Sequence, residues 1–551
     1  MADLASVRFE PADARAAGPA FAQVRETARS MVAEGRGEEA FDFLLTALAA
    51  VLKKSRELEM LLAKLRRMQA GKTSERVDPG QLALLFEELV AQLGTDPEAL
   101  DALDPEAEAR ADAELEREIE EAREARGERE PKPSPGWRTR DVPKEVHHVE
   151  VAAEARTCSR CGGQKSRIGE DVSRVLAYVP GHFVEHAYEL EKWACGTCKR
   201  GVTTAPGPDK LIARSAADAS LLAHVVVSKY VDHTPLHRLH RIYERSGATI
   251  PVSTLSDWVG EVASVVEPLV ERLAARIVQD AYVVRTDATG LEVLDPQSPE
   301  NIQRGTIWCM VGDDRDVVFR YTPTGEGATG PWAYLAGRRG YIQADAAGVF
   351  DRLFNGAAAS AIEVGCWSHG RRRFVALQDT DCRVAYPIKL ITRLYRIEKL
   401  ADVCDLSAEE RAALRHTRSR PVLDTLQRWI VVTAAKEPPS GDLARAAAYV
   451  LNHWTALTRF VDDGLLGLDN NLCERQIRDV ALGRKNFLFA GSHDAAHRSA
   501  ALYSLMRTAA QHGVAPLPYL TDVLKKLASG WDHDRLDELL PDRWQPGPAP
   551  P

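Results

Sequence analysis

Three acidic residues in the second half of the sequence lie where carboxylates could bind metal ions. Asp287 interrupts the β-rich run AYVVRTDATGLEVL, and Asp345 ends the run RGYIQAD. Alone, either residue would be interpreted as a cap or a loop residue, because buried carboxylates without partners are costly. Two of them at equivalent strand ends predict a divalent-metal site, since two-metal phosphoryl transfer requires clustered oxygen ligands.

Glu474 is the third candidate, and it follows the helix-start signal Asp469-Asn470-Asn471. Taken alone, a carboxylate at a helix start is best interpreted as a favourable partner of the helix dipole. The basic side chains after it suit contacts with phosphate groups and favour a functional interpretation. They include Arg478, Arg484 and Lys485.

Four cysteines form two Cys-x-x-Cys pairs, with 33 residues between the pairs: Cys158, Cys161, Cys195 and Cys198. Each pair can form a tight turn that directs two thiolates at one metal ion, and two pairs complete a tetrahedral Zn²⁺ site. The segments between them are β-rich, so we predict a zinc ribbon. The alternative is four unrelated buried thiols.

The elements that position these residues begin with a predicted helix over 39–70, which lacks Pro and Gly. Its seam follows alternating spacings of four and three residues, which predicts a self-pairing coiled coil and a homo-oligomer. An amphipathic helix packed on its own chain is the alternative. The seam consists of Leu44, Leu48, Val51, Ser55, Leu58, Leu62 and Leu65.

Charge is distributed unevenly along the 551 residues. The net charge is −9, from 71 Lys and Arg against 80 Asp and Glu, yet residues 96–131 alone hold 15 acidic and 5 basic residues. Because the remaining chain is nearly neutral, total charge does not exclude a nucleic-acid partner. The acidic stretch and the Pro-rich EPKPSPG after it predict a solvated, partly helical linker.

Residues 211–259 predict helices that resemble a helix-turn-helix unit, with Pro251 and a cap at Ser253 before an apolar-periodic helix. A plain helical connector is the alternative. The basic side chains that could face phosphates are His237, Arg238, His240, Arg241 and Arg245.

The order of the predicted strands indicates the fold of the central region. Residues 281–322 predict three hairpin-like strands, with a turn at Gly312-Asp313-Asp314 before the third. A short helical stretch follows, and then strands alternate with helices. This α/β order is that of the ribonuclease-H-like fold.

The sequence resembles the insertion sequence 66 family of bacterial transposases. The resemblance is carried by DNNLCERQIRDVALGRKNFLFAGS, GCWSHGRRRF, TDATG and YIQAD, and it covers most of the chain, up to ELLPDRWQP near the C-terminus. It implies a DNA transposase whose catalytic triad is Asp287, Asp345 and Glu474. It also implies an all-α insertion over about 385–465 in the catalytic domain.

The resemblance further implies the cofactors and partners. The triad would hold Mg²⁺ or Mn²⁺ for DNA cleavage by water and strand transfer by a 3′-hydroxyl. The partners would be the DNA ends of the element, target DNA and the two small companion proteins usually encoded with the family. We predict phosphate contacts for two basic clusters, with solvated helix charges as the alternative. These residues are His369, Arg371, Arg372, Arg373, Arg478, Arg484 and Lys485.

The sequence thus predicts a multidomain α+β protein. The regions are an N-terminal helical and coiled-coil region (1–95), an acidic and Pro-rich linker (96–143), a zinc ribbon (144–205), a helical DNA-binding region (206–275), a ribonuclease-H-like catalytic domain (276–510) and a C-terminal tail (511–551). Without a signal peptide or a long apolar run, a cytoplasmic location and no membrane partner are expected. A DNA-binding regulatory or structural protein with an inactive catalytic fold, and a nuclease without strand transfer, are the alternatives.

Overall fold

The computed structural model describes residues 30–31, 105–126, 156, 160–165, 181–193, 202–213, 215–345, 347–355, 361–438 and 440–547. The predicted coiled-coil seam and three of the four zinc-ligand candidates, Cys158, Cys195 and Cys198, lie outside these residues. The described residues fall into two compact units. The first contains Gly370–Thr392 and Val422–Asn452, and the second contains Asp104–His369, Arg393–Pro421 and His453–Pro551.

Helix α1 (Pro105–Ala125) occupies most of the stretch for which the sequence predicts a solvated linker. Most of its acidic side chains are exposed, but Leu115 and Ile119 are only 3% and 5% exposed. Residues four positions apart share one face of a helix, so these two form an apolar stripe. Within the acidic stretch, which the sequence predicts to be a solvated and partly helical linker, Pro105–Ala125 thus forms a docked helix.

A two-stranded antiparallel ribbon pairs β1 (Lys192–Trp193) with β2 (Thr203–Thr204). The sequence predicts longer strands in this region, but residues 181–191 have no regular secondary structure. Every side chain from 181 to 193 is exposed, so these residues have no buried face on which a longer strand could pack.

Between the two-stranded ribbon and the main sheet, the described residues form the helices α2 (Ala219–Tyr230), α3 (Leu236–Arg245) and α4 (Val252–Gln279). The predicted cap at Ser253 is wrong, because Pro251 is the N-cap residue of α4 and Ser253 lies inside the first turn. Proline has no N–H to leave unpaired, and its φ of −57° already suits the entry to a helix.

A five-stranded mixed sheet lies in the second unit, with its strands close to where the sequence predicts them. The predicted strand ends differ, because β6 ends at Gln343, two residues before Asp345, and Asp287 lies inside β3. Their order across the sheet is β5-β4-β3-β6-β7, with β3, β4 and β5 antiparallel and β6 and β7 parallel to β3. The strands are β3 (Val283–Leu294), β4 (Ile302–Gly312), β5 (Asp316–Thr322), β6 (Gly340–Gln343) and β7 (Ala361–Val364).

The predicted turn between β4 and β5 also fixes the start of β3. Asp313 and Asp314 have positive φ angles of 47° and 60°, a conformation that Asp tolerates better than most residues. The two carboxylate oxygens of Asp313 accept hydrogen bonds from the backbone N–H groups of Tyr282 and Val283, both at 2.9 Å.

The rest of the described chain is mainly helical, including the segment 385–465 that the sequence predicts as an insertion. A π-helical turn, Arg415–Ser419, joins α9 to α10. None of the helices in the described ranges is long and apolar enough to cross a membrane. The helices are α5 (Pro331–Tyr334), α6 (Asp351–Phe354), α7 (Trp367–Val375), α8 (Ala385–Val403), α9 (Ala408–Leu414), α10 (Arg420–Ala435), α11 (Asp442–Asn452), α12 (Trp454–Thr458), α13 (Asn471–Phe487), α14 (His493–Gln511) and α15 (Pro516–Ala528).

Helix α14 covers the open edge of the sheet at β5. The Ser504 hydroxyl accepts from the backbone N–H of Phe319 at 2.7 Å, and the Thr508 hydroxyl accepts from that of Val317 at 2.9 Å. Both hydroxyls are completely buried. They satisfy backbone groups that an exposed edge strand would present to other chains.

The C-terminal residues predicted as a tail pack into the same unit. Trp544 lies edge-on to the buried ring of Tyr519, with 5.5 Å between the ring centroids. Arg276 of α4 forms ion pairs with Asp542 at 2.9 Å and with Asp316 at 2.6 Å. The ELLPDRWQP motif therefore joins the C-terminus to α4 and β5.

Candidate active site

Asp287 lies inside β3, and Asp345 follows the end of the neighbouring parallel strand β6. Arg285 of β3 pairs with Gln343, the last residue of β6, and each aspartate lies two residues further along the chain. Both aspartates are half-buried. Each carboxylate accepts a hydrogen bond from a backbone N–H one or two residues later, at 2.7 Å and 3.1 Å.

Two buried polar residues, Arg285 and Gln343, lie two positions before Asp287 and Asp345 in the chain. The Arg285 side chain donates to the side-chain oxygen of Gln343 at 3.0 Å. Gln343, which is completely buried, in turn donates to the backbone oxygens of Gly365 and Gly467 at 3.0 Å and 2.8 Å. Burial lowers the pKa of Arg285, while the charge of Asp469 acts in the opposite direction. Gln343 thus ties β6 to the loop before α13.

Asn470 attaches the start of α13 to the strand that carries Asp287. The helix begins at Asn471, as the sequence predicts, but the Asn470 side chain makes no capping hydrogen bond. Its amide nitrogen donates to the backbone oxygen of Thr286 at 2.8 Å, and its backbone N–H donates to the Cys366 sulfur at 3.3 Å. Its amide oxygen is buried without a hydrogen-bond partner among the described residues.

Glu474 lies in the first turn of α13, where the sequence predicts it, and is half-buried. Its Oε1 is 3.8 Å from Nε2 of His369. The preceding residue, Cys473, is completely buried, which raises the pKa of its thiol, and the charge of Asp287 contributes in the same direction. Cys473 also donates to the backbone oxygen of Cys309, the residue paired with Asp287 across β3 and β4. The first turn of α13 is therefore adjacent to Asp287.

The strands and the helix that carry the three carboxylates are adjacent, which suits a divalent-cation site, but the side chains are not arranged around one point. Carboxylate and amide oxygens are the hard donors that Mg²⁺ and Mn²⁺ prefer. In the part of the chain that the structure describes, however, no group of three His, Cys, Asp or Glu side chains is arranged to hold a metal ion. The elements that carry the predicted triad are adjacent, but their three carboxylates are not closed around one point.

Arg415 supports the loop that leads to this site. Only 1% of Arg415 is exposed, and it forms an ion pair with Glu398 at 2.6 Å. Its guanidinium also donates to the backbone oxygens of Phe460, Asp463 and Leu466, at 2.6, 2.8 and 3.0 Å. Sequence reasoning missed this residue, because nothing in the sequence connects it to carbonyls about 50 positions away.

The predicted phosphate-binding residues are in different environments. Arg484 donates to the Thr289 hydroxyl at 3.2 Å and to the backbone oxygen of Gly290, so it is bound to β3. Arg478 and Lys485 are exposed on α13. His369 belongs to the second unit, whereas Arg371, Arg372 and Arg373 belong to the first, where Arg373 stacks on the ring of Tyr449 at 4.5 Å.

The basic side chains of α3 are mostly exposed. His240 is the exception, since its ring is bonded to the backbone oxygen of Ile250 at 2.7 Å. The buried face of α3 contains Leu239 and Tyr243. The exposed basic side chains are His237, Arg238, Arg241 and Arg245.

Backbone hydrogen bonds close a loop around each Cys-x-x-Cys pair. The backbone N–H of Lys165 donates to the backbone oxygen of Arg156 at 2.8 Å, and these two residues flank the first pair. The backbone N–H of Ala205 donates to the backbone oxygen of Glu191 at 2.9 Å, and these two residues flank the second pair. Cys161, the one candidate ligand among the described residues, has an exposed free thiol.

Comparison with known proteins gives three matching family models. They are "Transposase IS66 family" over residues 214–498, "zinc-finger binding domain of transposase IS66" over 155–199, which includes all four predicted zinc ligands, and "IS66 C-terminal element" over 504–541. The chain is also similar to two uncharacterized proteins of Sinorhizobium fredii. It is 31% identical to y4hP, over 89% of this chain and 88% of the relative, and 30% identical to y4qI, over 91% and 92%.

Proposed function

We propose, since the chain belongs to the IS66 family of transposases, that it cuts and joins DNA at the ends of its insertion sequence by metal-dependent phosphoryl transfer. The observation that carries this proposal is the position of Asp287 and Asp345, each two residues after the paired Arg285 and Gln343 of adjacent parallel strands, beside the helix whose first turn contains Glu474. We also propose a ribonuclease-H-like fold for the catalytic domain, supported by the strand order β5-β4-β3-β6-β7.

Asp287, Asp345 and Glu474 would hold Mg²⁺ or Mn²⁺, with the amide oxygen of Asn470, which has no hydrogen-bond partner among the described residues, as a candidate further oxygen donor. Bound divalent ions would activate the attacking oxygen and stabilise the leaving oxygen. Three carboxylates drawn together would repel one another, and bound divalent cations would remove that repulsion. Asn470 and Gln343 would hold the two strands and α13 in place while the ligands converge.

The reaction proceeds in two steps, DNA cleavage and strand transfer. In cleavage, water attacks a phosphorus atom at the element end, the P–O bond to the 3′ oxygen breaks, and that oxygen leaves as a 3′-hydroxyl after gaining a proton. In strand transfer, this hydroxyl loses its proton and attacks a phosphorus atom of target DNA, the P–O bond to the 3′ oxygen of the target breaks, and that oxygen gains a proton and leaves as a 3′-hydroxyl. Neither step requires a covalent protein–DNA intermediate, so no serine or tyrosine nucleophile is needed.

The test of this function is an assay with the purified chain, DNA that carries the element ends and a target plasmid. Joined products with element 3′ ends covalently linked to target DNA are expected. Cleavage without joining would indicate a nuclease, and end binding without cleavage would indicate a regulatory DNA-binding protein. We also propose a homo-oligomer that holds two ends, and the assay with and without the two companion proteins determines whether they are needed.

Exposed cations on α13 are proposed to contact DNA phosphates. Each neutralised phosphate changes the slope of log affinity against log salt by about −0.9. Replacing Arg478 and Lys485 by alanine should therefore flatten this slope by about two units in a titration of end binding. We exclude Arg484 from the test because it is bound to β3.

Arg272→Ala with Arg315→Ala is the matched control, since it removes two exposed cations from α4 and the β4–β5 turn. Its slope should stay close to that of the wild type. Equal salt slopes for both double variants would mean that Arg478 and Lys485 are solvated and do not contact DNA.

Cys158, Cys161, Cys195 and Cys198 are proposed to bind one structural Zn²⁺, supported by the matching zinc-finger model and the closed loops around both pairs. Purified protein should contain about one zinc ion per chain, as a closed four-thiolate site requires. The Cys195→Ala, Cys198→Ala variant should lose it. The control is Cys382→Ala, Cys404→Ala, which removes two exposed thiols elsewhere and should keep the zinc. Unchanged zinc in the first variant would refute the site.

A further inference from the structure

Helix α1 is strongly acidic and is held against basic side chains far along the chain. Its 21 residues contain nine Asp and Glu against three Arg, a net charge of −6. Leu115 and Ile119 are almost completely buried. The helix is therefore anchored by two apolar residues, while most of its charges remain at the surface.

One arginine forms the buried part of this contact. Arg393 of α8 donates to the Asp112 carboxylate at 2.6 Å and to the Glu108 backbone oxygen at 2.9 Å. It also pairs with the Glu108 carboxylate at 2.6 Å, and only 10% of its side chain is exposed.

Two further arginines form the outer part of the contact. Arg396 of α8 lies 2.9 Å from Glu116, and Arg418 of the π-helical turn lies 3.0 Å from Glu118. Their side chains are 32% and 46% exposed. Exposed ion pairs of this kind contribute little to stability, so a competing anion can replace the carboxylates at low cost.

The spacing of the contact suits a DNA strand. From Asp112 to Glu118 the helix axis advances roughly 9 Å, at about 1.5 Å per residue. One strand of duplex DNA carries a phosphate about every 3.4 Å along its axis. The carboxylates of α1 thus span a length of two or three phosphates, and arginine is well suited to bind phosphate.

We propose that Arg393, Arg396 and Arg418 form a phosphate-binding surface for duplex DNA and that α1 occupies it in the absence of DNA, with its carboxylates in place of phosphates. This inference rests on the proposed function, which makes DNA the substrate. The acidic helix then weakens non-specific binding, because DNA must displace its carboxylates before it reaches the arginines.

The test compares two double variants of the full chain in titrations with duplex DNA at several salt concentrations. Glu116→Gln with Glu118→Gln removes the nearest carboxylates of Arg396 and Arg418 and keeps Asp112, which lies 3.6 Å from Arg396. Glu114→Gln with Glu124→Gln removes the same charge from exposed positions of the same helix. The first variant should bind DNA several-fold to about tenfold more tightly than the second, because only it removes competing carboxylates from Arg396 and Arg418.

Adding Arg396→Ala and Arg418→Ala to the first variant should reverse the gain and flatten the salt slope by about two units. Thermal unfolding of all variants checks that α1 and the unit remain folded. Equal affinities of the two double variants, or a gain that survives loss of both arginines, would overturn the inference. If the wild-type chain binds and cuts DNA in those cases, the proposed function stands; if it binds no DNA even at low salt, the proposed function fails as well.

Discussion

Asp287→Asn and Asp345→Asn are each expected to slow DNA cleavage by about 1000-fold or more, with binding of element-end DNA within a few-fold of the wild type. Each substitution keeps the shape of the side chain but removes the charge that would hold a divalent cation. Metal ions supply several kcal/mol of transition-state stabilisation, and about 1.4 kcal/mol corresponds to a factor of ten in rate. Single-turnover cleavage and a binding titration on the same DNA measure the two effects.

Asp479→Asn is the matched control for this prediction. Asp479 lies on α13, within two turns of Glu474, but forms an ion pair with Arg507. Its replacement should leave cleavage within about tenfold of the wild type. A large cleavage defect in Asp479→Asn with little defect in Asp287→Asn would indicate that a different carboxylate has the catalytic role.

Arg415→Met is expected to lower the free energy of unfolding by about 3–5 kcal/mol, which is the usual cost of breaking a buried ion pair from one side. The change leaves Glu398 with Arg411 as its remaining ion-pair partner and removes the donors of three backbone oxygens. Denaturant unfolding, monitored through a spectroscopic signal from the second unit, measures the loss of unfolding free energy.

Two further variants show whether the loss of unfolding free energy is specific to Arg415 or follows the removal of any arginine. Arg420→Met breaks an exposed pair with Asp462 and should cost no more than about 1 kcal/mol. Arg415→Met combined with Glu398→Met should recover part of the loss, because apolar pairs of similar volume often replace buried ion pairs well. A loss of less than about 1 kcal/mol in Arg415→Met would contradict the structural role.

The strands and the order of the candidate carboxylates could be predicted from sequence because their signals are local. Asp287 stands out in a β-rich run, and Gly312-Asp313-Asp314 marks a turn between two apolar runs. The segment DNNLCERQ locates the start of α13 through helix-start residues. These signals depend on residues within a few positions of one another.

The contacts that organise the site could not be predicted, because they join distant parts of the chain. Gln343 is one polar residue in a short strand, and its bond to Gly467 spans 124 positions. The pairing of Asp112 with Arg393 spans 281 positions, so the acidic stretch is indistinguishable from a solvated linker in the sequence. Ser253 is a favourable capping residue type, but Pro251 is the N-cap residue of this helix.

The central claim depends most on Glu474, which approaches the site from a helix rather than from the sheet. The most direct test is single-turnover cleavage of element-end DNA in Mg²⁺ by Glu474→Gln and the wild type, with end binding measured in parallel. We predict that Glu474→Gln binds the ends as the wild type does and cuts them at least about 1000-fold more slowly. Cleavage by Glu474→Gln at a near-normal rate would contradict the assignment of Asp287, Asp345 and Glu474 as the metal-binding triad.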